Sequence, residues 1–151
     1  MSGIRSKDTK PEMLVRRALF AAGYRYRLHR KDLPGAPDIV MAGRRIAVFV
    51  HGCFWHMHGG CRFLKLPASR PEYWLAKLTA NRERDLRSAD ALRARGWRVL
   101  VVWECSTRGA AALAGLEARL VTWIEGPHAY GEIAGNPGSE TRIVESTSRV
   151  G

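Results

Sequence analysis

The stretch Ile46-Ala47-Val48-Phe49-Val50-His51-Gly52-Cys53-Phe54-Trp55-His56-Met57-His58-Gly59-Gly60-Cys61 decides how this chain is read. Its first five residues, following Arg45, form an apolar run with β-branched side chains, the pattern of a buried strand. Directly behind them, three histidines, two cysteines and two adjacent aromatics crowd into one short segment. Imidazole and thiolate are the ligands that zinc and similar ions prefer. A cluster of them hung from the end of a core strand points to metal chemistry at that end of the sheet.

Upstream, Leu33-Pro34-Gly35-Ala36-Pro37 reads as a turn and Asp38 to Met41 as a short strand carrying a lone carboxylate at its head. Ala42-Gly43-Arg44 then serves as a hairpin connection into the buried strand. Further back, Leu14, Val15, Ala18, Leu19 and Ala22 recur at helical spacing from Pro11 to Ala22. Asp8 or Thr9 suits the cap, Pro11 the first turn and Gly23 the stop. Tyr24 to His29 alternates like a half-exposed strand. Downstream, Ser69-Arg70-Pro71-Glu72 opens a long helix to about Arg95, closed by Gly96. Trp97 to Trp103 is a second buried strand, and Ala110 to Trp123 a last helix. The order α-β-β-β-α-β-α predicts an α/β fold, a small mixed β-sheet flanked by helices. One domain is expected over residues 1–126. Residues 127–151, rich in Gly, Ser and Pro without periodicity, are expected to form a flexible or loosely packed tail.

The chain has 151 residues, enough for a single core of ordinary size. Lys and Arg outnumber Asp and Glu by 25 to 14, a formal charge of +11, which favours a polyanionic partner, nucleic acid first. The basic residues gather in three groups: Arg5, Lys7 and Lys10; Arg25, Arg27, Arg30 and Lys31; and Arg62, Lys65 and Arg70. Contacts from such side chains to phosphates set position and salt dependence rather than sequence. No apolar run approaches a membrane span, and Met1 to Lys7 lacks the apolar core of a signal peptide. The three cysteines, Cys53, Cys61 and Cys105, cannot all pair. A cytoplasmic setting is expected, where clustered cysteines bind metal more often than they form disulfides.

Cys53-x4-His58-x2-Cys61 supplies three ligands from one loop, and Cys105, just after the last strand, supplies a fourth. Cys3His is a closed tetrahedral set for structural zinc, which would staple the loop to the final strand. His56 also lies within reach, although the spacing favours His58. A different chemistry suits Asp38. Its strand should pair with the strand ending at His51, bringing the carboxylate toward the backbone carbonyl of Val50. Such oxygen ligands are what Mg2+ takes, commonly with phosphate completing the shell. His51 and His56 flank the same spot, and either imidazole is suited to accept a proton near neutral pH. Glu12 on the first helix could hold a metal-bound water.

His51-Gly52-Cys53-Phe54-Trp55-His56, with Leu33-Pro34-Gly35-x-Pro37-Asp38 before it and Val102-Trp103-Glu104-Cys105 after it, resembles the very short patch repair (Vsr-type) DNA mismatch endonucleases. The resemblance runs from about Ile4 to Trp123. It implies a fold like the PD-(D/E)xK restriction-endonuclease superfamily, and nicking 5′ to the T of a T·G mismatch left by deamination of 5-methylcytosine. It implies Mg2+ at Asp38 and the Val50 carbonyl, His56 as general base, His51 assisting at the phosphate and Glu12 near the metal's waters. It also implies Zn2+ at Cys53, His58, Cys61 and Cys105. Phe54 and Trp55, with Trp74 on the long helix, match the aromatic wedge that the family inserts beside the mismatch. Met1 matches a residue placed in the minor groove, and with Arg5 and Lys7 it completes the expected DNA contacts.

Three positions depart from the family. Val50 stands where relatives often carry Thr, without consequence if only the carbonyl is used. The Met57 and Gly59-Gly60 region is less histidine-rich and one residue longer before Cys61. The basic segment that relatives place before Met1 is expected to be lacking, which bears on substrate affinity and on the minor-groove side of mismatch clamping. The expectation is therefore a monomeric, Mg2+-dependent DNA repair endonuclease, a phosphodiester hydrolase, with zinc as a staple and repair proteins as possible partners. Its rivals are a nuclease of the same fold that cuts matched or other DNA, and a non-catalytic module that binds mismatched or bent DNA.

Overall fold

The computed structural model describes residues 9–61, 63–135 and the backbone of 142–143. Helix α1 (Lys10–Ala21) starts where Thr9 accepts the Glu12 amide hydrogen on its side-chain oxygen, with proline in the first turn. Of the two caps open to the sequence, Thr9 is the one used. Strands β1 (Arg27–Leu28), β2 (Ile39–Met41), β3 (Ile46–His51), β4 (Arg98–Trp103), β5 (Tyr130–Ile133) and β6 (Arg142–Ile143) form one sheet in chain order. The first three strands pair antiparallel, β3–β4 and β4–β5 pair parallel, and β6 returns antiparallel. Parallel neighbours need long crossovers, and helices α2 (Pro71–Ala94) and α3 (Ala110–Glu125) supply them.

Side chains alternate across the sheet, so each strand feeds two cores. Ala47, Phe49, Val99, Val101 and Trp103 pack under α2 with Ala89 and Leu92. Ile46, Val48, Leu100 and Val102 face α1 and α3, meeting Val15, Leu19, Leu116, Leu120 and Trp123. This is the expected mixed α/β sandwich. Both faces of β3 and β4 are covered, which is why they read as continuous apolar runs.

Ala42–Arg44 is the expected hairpin connection between antiparallel β2 and β3, made as a 3-10 turn closed by Arg45 in the left-handed region (φ 54°). One expectation needs correction. Of the tail expected over 127–151 to be flexible or loosely packed, the part up to 135 contributes β5, whose Tyr130 and Ile133 are buried against β4 and the helices, while 136–141 and 144–151 lie outside the described residues. Four residues broken by Gly131 and Glu132 are too short to announce a strand. Gly135 shows how closely this segment packs: a Cβ there would lie 2.2 Å from the Cys105 carbonyl oxygen. No helix among the described residues is long and apolar enough to cross a membrane.

Candidate active site and metal centre

Strands β3 and β4 run parallel and in register to their shared end, where His51 stands opposite Trp103. The chain leaves β3 into the 52–61 loop and leaves β4 into a 3-10 turn, Glu104–Thr107. Everything chemically distinctive gathers at this end.

The first cluster is Cys53, His58, Cys61 and Cys105, all buried, with one ligand atom from each lying within 4.8 Å of the others. Cys105 Sγ is 3.7 Å from His58 Nδ1. Bonds of about 2.3 Å to sulfur and 2.0 Å to nitrogen give a tetrahedral edge of roughly that length. These four residues could hold a metal such as zinc. Their surroundings brace them. The His58 ring stacks on Trp103 (centroids 4.0 Å apart, planes within 5°), the Gly135 N–H donates to Cys105 Sγ at 3.3 Å, and the Cys53 N–H donates to Glu104 Oε1 at 3.3 Å. Hydrogen bonding from Cys53, opposed by burial and helped by His58 and Gly135, pulls the Cys105 thiol pKa below the usual thiol range. The Cys53 thiol moves up correspondingly, through its hydrogen bond to Cys105 and through burial. Of the two histidines the spacing allowed, His58 joins the cysteines and His56 does not.

The second cluster holds His56. Its ring lies flat on that of His51, with centroids 3.8 Å apart and planes within 3°. His56 Nδ1 is 2.6 Å from Asp85 Oδ2, on α2. A carboxylate there accepts the Nδ1 hydrogen and leaves Nε2 as the basic nitrogen. Burial, and then the neighbouring His56, push the His51 pKa well below the usual histidine range, so this ring is neutral near pH 7.

The third cluster is Glu12, His29 and Asp38, again with ligand atoms within 4.8 Å of one another. Burial, opposed by the Val50 amide, raises the Asp38 pKa to about 6, with the Glu12 charge adding to the rise. Asp38 does sit beside the Val50 peptide, as its strand pairing demands, but the recorded contact is with the N–H (2.8 Å to Oδ2). Glu12 is buried in the first turn of α1, where Arg16 bonds its Oε2 and His29 Nε2 approaches the same oxygen at 2.7 Å. Three protein groups could therefore each hold an ion: one of soft donors, one of two histidines and an acid, and one of two acids and a histidine.

Beside the loop, Phe54, Trp55 and Trp74 form a triangle of edge and tilted contacts with centroids 5.0–5.9 Å apart. Tyr73, 46% exposed, extends it at 5.3 Å from Trp74, and Arg70 lies over the Tyr73 ring. Asn81 and Arg82 of α2 donate to the Trp55 and Met57 carbonyls and hold the loop against the helix. Lys10, Arg27, Lys31, Lys65 and Arg70 are exposed. Arg25 stacks over Phe20 and Arg30 pairs with Asp32. Met1, Arg5, Lys7 and Arg62 lie outside the described residues.

A family model described as DNA mismatch endonuclease Vsr matches residues 1–62. A type II nicking enzyme, V.XorIIP of Xanthomonas oryzae, is 58% identical over 120 residues, covering 80% of this chain and 85% of the relative. The chain belongs to the Vsr family of DNA mismatch endonucleases. Other members are the DNA mismatch endonuclease Vsr of Escherichia coli, 43% identical over 135 residues (88% of this chain, 86% of that one), and V.NmeAIP, a type II nicking enzyme of Neisseria meningitidis, 44% identical over 125 (83% and 89%). This Vsr-family chain is thus a DNA endonuclease, as its sequence motifs indicated.

Two neighbours of the expected Vsr site residues were not anticipated. Asp85 lies in the charged run Arg82-Glu83-Arg84-Asp85, which reads as a solvated helix face. Its place one turn of α2 beyond Asn81, which grips the same loop, was the available signal. His29 closes the alternating Tyr24–His29 segment and looked like a strand end. Its left-handed backbone (φ 50°), which turns the ring toward α1, left no mark in the sequence.

Proposed function

We propose that this endonuclease nicks one strand of duplex DNA 5′ to the T of a T·G mismatch, using a divalent metal at Asp38 and zinc as a structural staple. The observation that carries the reading is that the acidic pair Glu12 and Asp38 is tied through the Val50 N–H to the strand end at His51, whose ring stacks on the acid-held His56. The donor chemistry fits both ions. Carboxylate and peptide oxygens at Asp38, Glu12 and Val50 suit Mg2+, and the buried Cys3His set suits Zn2+. Bound at Asp38, Mg2+ would polarise the scissile phosphate and stabilise the leaving oxygen.

The chain's own residues supply the rest. His56 takes the proton of the attacking water at Nε2, because Asp85 occupies its Nδ1. His51, neutral and flat against His56, donates a hydrogen bond toward the phosphate and keeps the base in plane. Glu12 would hold a water beside the metal. Phe54, Trp55 and Trp74 wedge into the duplex beside the mismatch. A wobble pair is easier to unstack than a matched one, so a wedge favours mismatched sites by its unstacking energy, a few kcal/mol per step. Met1, Arg5 and Lys7 are read as backbone and minor-groove contacts.

The test is cleavage of labelled duplexes carrying T·G or matched pairs in varied flanks, with Mg2+ or with chelator. A single nick 5′ to the mismatched T, dependent on Mg2+, is the expected result. Equal cutting of matched duplexes would discard the mismatch preference, and binding without cutting would make the chain a recognition module.

A further inference from the structure

His29 touches both acidic residues of the third cluster, through different atoms. Its backbone N–H donates to the Asp38 carbonyl at 2.9 Å, and its ring reaches Glu12 Oε2 at 2.7 Å. This double contact depends on a left-handed backbone at a non-glycine residue (φ 50°). Such conformations persist where the surrounding structure enforces them, often at functional sites. The same Glu12 oxygen is also bonded by Arg16, one turn along α1. Two carboxylates whose oxygens lie within 4.8 Å of each other repel and drift apart unless something fixes them.

From these contacts we propose that His29 is a positioning residue of the catalytic centre. Tied to Asp38 by its backbone and to Glu12 by its ring, it fixes the Glu12 carboxylate beside Asp38 and so sets the spacing of the two acids that a divalent cation requires. The inference rests on the reading of Asp38 and Glu12 as the metal site. It assigns His29 no contact with DNA and no proton transfer. Partners outside the ligands themselves commonly change metal affinity or activity by roughly 10–100-fold when removed, and an effect of that size is expected here.

Five proteins test it: wild type, His29→Ala, His29→Gln, Glu12→Gln and the His29→Ala/Glu12→Gln pair that closes a cycle. Mn2+ titration followed by electron paramagnetic resonance, without DNA, reads the site independently of cleavage. The Mg2+ concentration for half-maximal nicking reads it in the working enzyme. His29→Ala should weaken Mn2+ binding and raise the Mg2+ requirement by roughly 10–100-fold, with a smaller loss of rate at saturating Mg2+. His29→Gln, whose amide can still donate to Oε2, should recover most of that. In the Glu12→Gln background, His29→Ala should add nothing. Unchanged Mn2+ binding in a folded His29→Ala protein, or an equal effect with Glu12 already replaced, would overturn the proposal. Wild-type protein that binds Mn2+ tightly at this site but nicks no T·G duplex would refute the proposed function and leave His29's role standing.

Discussion

His51 and Cys53 are two residues apart, yet they belong to regions built on opposite principles. On the Cys53 side, four buried donors converge, and every neighbour tightens them: Trp103 stacks on His58, Gly135 reaches Cys105, and Glu104 anchors the loop. On the His51 side, the polar groups are kept in conditions that do not suit them. Asp38 is held where burial disfavours its charge, His51 where it cannot charge, and His29 on an unfavourable backbone. The first arrangement favours the fold and leaves no open position for substrate. The second costs the fold and, in the proposed mechanism, supplies the acids and the base. One strand end thus carries the proposed staple and a strained site side by side, and the residues of the first brace the loop from which His56 projects.

The sharpest way to break this comparison is to remove the staple. Cys105→Ala should abolish the proposed zinc binding and cost more than about 4 kcal/mol of stability, the range reached when a structural metal is lost. Zinc analysis and denaturant unfolding check it, and undiminished zinc would dissolve the distinction. Removing the base strikes the other side. His56→Ala should slow nicking by about 10²–10⁴-fold at saturating Mg2+ with zinc content unchanged. Single-turnover cleavage reads the first and metal analysis the second.

The strain itself should be visible as pH dependence. The Asp38 carboxyl has a pKa of about 6 in the fold against 3.8 as its ordinary value. Between these limits the native state binds more protons than the unfolded chain, so stability present below about pH 4 is lost as the pH rises through 6. The full difference corresponds to at most about 3 kcal/mol. Without Mg2+, the stability of wild type relative to Asp38→Asn should therefore fall between pH 4 and pH 7. A pH-independent difference would remove the claim that Asp38 is held at a cost. The smallest effect is expected at Asp85. Asp85→Asn keeps the shape but loses the carboxylate that fixes the His56 tautomer, and nicking should slow by about 10–100-fold. Rates equal to wild type would mean that the 2.6 Å contact is incidental.

Legibility in the sequence followed the same division. Cys53, His58, Cys61 and Cys105 were readable because three share one loop and soft ligands are rare elsewhere in the chain. Strands β3 and β4, helix α2 and the head position of Asp38 were readable because their periodicity and turn residues agree. Asp85 and His29 were not. Each is a common residue type in an ordinary setting, and only the packing of α2 on the loop, and of α1 on β1, gives them partners. Strand β5 escaped because its four residues take their stability from β4, not from any pattern of their own. Its Tyr130 reaches Glu132, which in turn accepts the Trp103 indole N–H, a tie visible only in three dimensions.

The most direct test of the account is a paired measurement on Asp38→Asn: nicking of a T·G duplex with Mg2+, and zinc content of the same sample. A folded protein that keeps its zinc, is more stable than wild type at pH 7 and makes no nick is the predicted result. A variant that still nicks, or one that loses its zinc along with its activity, would contradict the separation of strained site from staple.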